Sequence, residues 1–355
     1  MRAEVQYSAS VEAAKVVASL GRTEDVQFSP SNRRLAVAAF HANRIAVFEV
    51  AISRSAGRPE VALTGVVEIE AATLKGPHGL CFLDEATIVV ANREGSVEVF
   101  DVPEAGAAPN ARTTPRRTVL GGPSGQVVTP GSVAAVGLDD GTVELLVCNN
   151  YVNCVTRHVL DPRRDFSATS DETLLQRDLD VPDGICFSPD RRWMAVSNHN
   201  THSVLLYDRS RRLGPDSEPD GVLRNVLCPH GVRFTFDHEF VLVADAAARY
   251  VNVYKKDGAS WRGTRDPVRL FAVMSAELFA GGRHNPQEGG PKGIDISKET
   301  NVLVSTCASQ TLAFFDLDAV VRVAEAPSNR LKRYLQWRLS EAIFNRLGYL
   351  SRFPA

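Results

Sequence analysis

Two histidines stand between a proline and a glycine: His78 in "GPHGLCF" and His230 in "CPHGVRF", each at the start of an apolar run that reads as a buried strand. Asp183 takes the same place in "VPDGICF" and Lys292 in "GPKGIDI", while Glu24 opens a matching run, "EDVQFSP". Imidazole nitrogens and carboxylate oxygens are the donors of metal and acid–base centres. Brought together, Glu24, His78, Asp183 and His230 would favour Zn(II), Mn(II), Fe(II) or Ni(II) over the all-oxygen cage that calcium prefers. Such an ion acts as a Lewis acid or activates water. Lys292 opposes a bare dication; it pairs with Asp183 or Glu24, or serves as a base if burial depresses its pKa. Asp183 and Lys292 are the expected catalytic pair.

These residues lie far apart in the chain, so only a repeating architecture brings them to one point. Six copies of one unit begin near Glu24, Pro77, Pro130, Pro182, Pro229 and Pro291, and the prolines are spaced by 53, 52, 47 and 62 residues. That period belongs to propeller blades. In each copy an apolar strand leads through a polar turn such as "SPDRR" to a second strand, then a third and a less regular fourth, "GVLRNVLC" in one case. The sixth copy stops after its third strand, and residues 12–20, "EAAKVVASL", are expected to supply the missing strand and close the ring. The fold class is therefore all-β, a six-bladed β-propeller over residues 1–318 with a helical extension over 319–355.

In such a ring the residue between Pro and Gly faces the channel, the Pro fixing the entering backbone and the Gly allowing a tight turn. The residues ending the second strands, Asn92, Asn149, Asn198 and Asp245, meet at the same mouth, followed by Arg93 and His199. They are candidate substrate contacts, although Asn and Asp at a strand end also satisfy their own turn backbone. Six of the eight histidines (His41, His78, His199, His202, His230, His284) fall in segments directed there, and the insertion ending "GGRHNPQEGG" enters from the same side as a possible lid.

"VPDGICFSPDRRWMAVSN" is similar to the Pro-Asn-Gly and Pro-Asp-Gly segments of the lactonases, and residues 12–317 resemble the six-bladed propeller superfamily of the regucalcin and gluconolactonase family, the NHL-repeat proteins and the YVTN repeats. The resemblance implies a divalent metal in the channel, Glu24 as the N-terminal glutamate ligand, and Asp183 as a ligand that also helps as general base. His78 and His230 depart from that family's asparagines and aspartate. They look more like the Pro-His-Gly segments of the peptidyl-hydroxyglycine amidating lyases, in which three such histidines hold zinc; this chain has two.

The formal net charge of -2 supplies no basic surface for nucleic acid. No leader or spanning stretch is apparent, which points to the cytoplasm. The six cysteines read as reduced, Cys81 and Cys186 as small buried hydrophobes, and Cys307 as a packed thiol without a base. Ser328 caps an amphipathic stretch with Leu331, Leu335 and Leu339 on one face and Arg330, Lys332 and Arg333 on the other; docking on the propeller, a second subunit or a partner protein is expected ahead of a membrane. Three readings follow: a metal-dependent lactonase-like hydrolase or lyase acting on a small polar metabolite, a non-catalytic scaffold, or a metal-free propeller enzyme resembling strictosidine synthase.

Overall fold

The short Val-, Ile- and Phe-rich runs form six antiparallel sheets arranged as blades around a channel. The computed structural model describes residues 3–55, 57–104, 106, 113–119, 127–283 and 287–322. The innermost strands are Thr23–Phe28, Pro77–Phe82, Pro130–Gly137, Pro182–Phe187, Pro229–Phe234 and Ile294–Ile296, and each contacts the next around a closed ring. The first three strands of each blade follow in chain order from the channel outward. Both sheet faces are apolar because blades pack face to face: Leu242, Val253 and Phe271 of blade five meet Ile294, Leu303 and Phe315 of blade six in one fully or nearly buried layer.

Closure differs from the expectation. Glu4–Val5, rather than residues 12–20, supplies the fourth strand of blade six, pairing antiparallel with Phe315 and Phe314. Tyr7–Ala9 then lies parallel along the outer strand of blade one, so a single segment fastens the last blade to the first and covers an edge. The stretch read as a strand is helix α1 (Val11–Ser19): Ser10 accepts the Ala13 amide at 3.2 Å, Glu12 lies in the first turn, and Ala13 is buried. Ala, Glu and Lys prefer helix, and with closure already made no sheet competes for them. Among the described residues two further α-helices are short, α2 (Ala276–Gly281) in the insertion and α3 (Leu317–Val321) after blade six. α3 buries Leu317 and Val320, on either side of the boundary expected at 318. The amphipathic stretch from Ser328 lies outside the described residues. Among the described residues no helix is long and apolar enough to cross a membrane.

The Pro-x-Gly segments owe their geometry to a bulge and a close approach. The ladder to the second strand slips between Pro77 and Leu80, Pro182 and Ile185, and Pro229 and Val232, and blade one slips likewise between Thr23 and Val26. The extra residue turns x toward the channel. The glycines do not make a tight turn as expected. They admit the neighbouring blade: a Cβ on Gly184 would stand 2.1 Å from the His230 carbonyl oxygen, on Gly231 2.6 Å from that of Lys292, and on Gly293 2.6 Å from Asp25 Cα. Gly184→Ala is expected to lower stability by about 1–3 kcal/mol through forced blade separation, read by urea denaturation. An unchanged midpoint would show that the blades are not in contact there.

Candidate metal centre

Four bulged strand starts deliver Glu24, His78, Asp183 and His230 to one point of the channel, all at most 5% exposed. The His78 and His230 rings stack with centroids 5.2 Å apart. Glu24 Oε2 lies 3.4 Å from His78 Nε2 and 3.5 Å from His230 Nε2. Asp183 Oδ2 accepts from His230 Nε2 at 2.8 Å, and its Oδ1 stands 3.9 Å from His78 Nδ1. His78 donates from Nδ1 to the Gly131 carbonyl at 2.7 Å, which leaves a lone pair on Nε2. Arg93 Nη2 donates to that nitrogen at 2.9 Å.

A divalent ion fits this donor set. Glu24, His78 and His230 each offer one ligand atom within 4.8 Å of the other two. Ligands at about 2.05 Å in a tetrahedron stand about 3.3–3.4 Å apart, and the two Glu24 edges are 3.4 and 3.5 Å. Glu24 Oε2 is buried and makes no aligned hydrogen bond, although the Lys292 ammonium is an ion-pair partner 3.1 Å away.

Cations crowd the same oxygen. Lys292 Nζ lies 3.1 Å from Glu24 Oε2 and 3.0 Å from Glu288 Oε2, and Arg22 bonds Glu24 Oε1. Burial disfavours the Lys292 ammonium, yet Glu24 and Glu288 outweigh it and raise the pKa, so Lys292 is a cation and not the depressed base that was one expectation. Burial pushes Glu24 up, but the Lys292 ammonium, with Arg22 beside it, holds it well below the carboxylate range; the hydrogen bond from His230 and the nearby Arg93 do the same for Asp183. Burial, with Arg93 beside it, drives His78 down to about 3, a neutral imidazole at pH 7.

The residues ending the second strands do something else. Asn92 Oδ1 accepts the Lys75 amide at 3.1 Å, Asn149 Oδ1 that of Val128 at 2.8 Å, Asn198 Oδ1 that of Asp180 at 2.6 Å, and Asp245 Oδ2 that of Leu227 at 3.0 Å. Each partner lies two residues before its blade's proline. These four side chains are buried and pin the entering loop, which fixes where x points; the structure engages their polar ends with backbone rather than presenting them to a substrate. Of the residues that follow them, Arg93 reaches the centre, and His199 Nε2 stands at its margin, 3.7 Å from Glu288 Oε1. His41 is exposed, His202 bonds the Leu227 carbonyl, and His284 lies outside the described residues. All six cysteines are free and buried, as expected, with burial pushing the Cys81 and Cys186 thiols up to about 12.

Two contributors escaped the sequence reading. Blade three has Gly131 at the x position, and the Asn150 carboxamide from the next loop fills that space, its Nδ2 bonding Asp183 Oδ1 at 2.8 Å. The bare glycine beside an Asn149-Asn150 doublet was the available signal. Glu288, from the insertion, had none. Its loop is tied at the mouth by the Gly289 and Gly290 amides, both 2.9 Å from the Ala246 carbonyl. No family model matches this chain, and no curated protein matches it.

Proposed function

We propose that this propeller is a metal-dependent hydrolase or lyase of lactonase-like type, acting on a small polar metabolite at the channel mouth, with the ion held by Glu24, His78, His230 and Asp183. The observation that carries this reading is the convergence of the buried Glu24 Oε2 on two ring nitrogens at 3.4 and 3.5 Å, the edge lengths of a tetrahedral site. When bound, the ion supplies Lewis-acid stabilisation of a developing oxyanion. Asp183, anchored by Asn150, is an ionised acceptor that takes a proton at Oδ2. Lys292, protonated between two carboxylates, stabilises negative charge and donates a proton to a leaving oxygen. His230 would offer Nε2, the nitrogen now 2.8 Å from Asp183 Oδ2, to such an ion.

Chelator-treated protein at 100 times the metal's dissociation constant should gain about 2.7 kcal/mol, a rise of several degrees in melting temperature. Zn(II) and Mn(II) are expected to act more strongly than Ca(II), and purified protein should carry metal by elemental analysis. Protein without metal whose melting point ignores all three ions defeats the proposal. One observation favours the metal-free reading instead: Glu24, Asp183 and Glu288 face Arg22, Arg93 and Lys292, so the carboxylates are already matched by cations.

A further inference from the structure

The lone pair of His78 Nε2 can serve one partner. The Nδ1 bond to the Gly131 carbonyl at 2.7 Å fixes the tautomer, so the ring cannot flip to offer another nitrogen without losing that bond. The partner now in place is the Arg93 guanidinium at 2.9 Å, and a permanent positive charge there opposes a dication both by occupancy and by repulsion.

Arg93 is also poorly parked. Its Nη1 is buried without a hydrogen bond, and its nearest carboxylate oxygen on Asp183 is 3.8 Å away. The side chain is 19% exposed, so its way outward is open. The guanidinium carbon already lies 5.5 Å from the centre of the Tyr151 ring, a 67% exposed side chain at the mouth, and that cation–π contact can follow it outward. Tyr151 follows Asn150 directly, so the loop that holds Asp183 also carries the outer seat.

We infer that Arg93 is a gate on the metal centre: it plugs His78 in the metal-free protein and swings outward over the Tyr151 ring it already touches to let an ion load. This rests on the metal-centre reading above. The gate explains how a site built to hold a dication stays charge-matched and folded without one.

Zinc titration of the chelator-treated full chain by calorimetry tests it, with Arg93→Met as the variant. Losing one charge-assisted competitor is expected to tighten zinc binding roughly tenfold to a hundredfold. Stopped-flow loading, followed by loss of the signal of a coloured zinc indicator, supplies the second readout. A gate makes the wild-type rate level off with zinc concentration, because outward swing becomes limiting, while Arg93→Met keeps a linear rise. Equal or weaker zinc binding by the variant overturns the gate and leaves the metal centre standing. Tighter binding with linear rates in both proteins also overturns it, leaving only a charge effect. Zinc binding by neither protein removes the metal centre and the gate together, whereas binding by the variant alone supports both.

Discussion

Replacing Lys292 with Met should cost the metal-free protein about 3–5 kcal/mol at pH 7, the usual penalty for leaving buried charge without its partner. The ammonium is 4% exposed and lies 3.1 Å from Glu24 and 3.0 Å from Glu288, so its removal strands two carboxylates at once. Adding Glu24→Gln should restore part of the loss, with a coupling of about 0.5–3 kcal/mol in the double-mutant cycle. The penalty should also shrink on acidification. Glu24 has a folded pKa below its unfolded value, so its contribution is present above the unfolded pKa, about 4.3, and is lost as pH falls. Urea denaturation at pH 7 and pH 4 reads all three effects. A loss under 1 kcal/mol at pH 7 would mean that water reaches the carboxylates and that the centre is not the dry, paired cluster described.

Arg233→Met is the second large effect, of about 3–5 kcal/mol at pH 8. Deeper in the channel Arg233 Nε bonds Asp295 at 2.9 Å and stands 3.8 Å from Asp25, which in turn accepts the Leu80 amide of blade two at 3.1 Å. Burial raises Asp25 to about 6 despite Arg233, and Asp295 is raised for the same reason. A carboxyl whose folded pKa is raised stabilises the fold below its unfolded pKa, about 3.9, and loses that contribution as pH climbs through the folded value. Without Arg233 both pKa values climb further, so the variant should recover much of its deficit by pH 4.5. Calorimetry across that range checks the sign, and a deficit that grows toward acid would show that the arginine does not hold the pair. His78 runs oppositely in both proteins: with its pKa at about 3, its contribution is present above about 6.5 and lost as pH falls through that window.

The repeat of Pro-x-Gly ahead of Val-, Ile- and Phe-rich strands determined the blade number and the convergence of Glu24, His78, Asp183 and His230, because a bulge at each strand start is a local consequence of local residues. Ring closure was decided by pairing between segments remote along the chain, Glu4 with Phe315, and no local pattern distinguishes a two-residue closing strand. Asn92, Asn149, Asn198 and Asp245 looked like candidate substrate contacts because a side-chain oxygen that binds substrate and one that binds backbone have the same spelling. The entry of Asn150 and Glu288, and the positive charge of Lys292, likewise depend on which side chains meet from distant blades. Sequence alone thus determined which side chains meet in the channel; only the tertiary structure decided their charge and their partners, since both arise from burial and from neighbours remote along the chain.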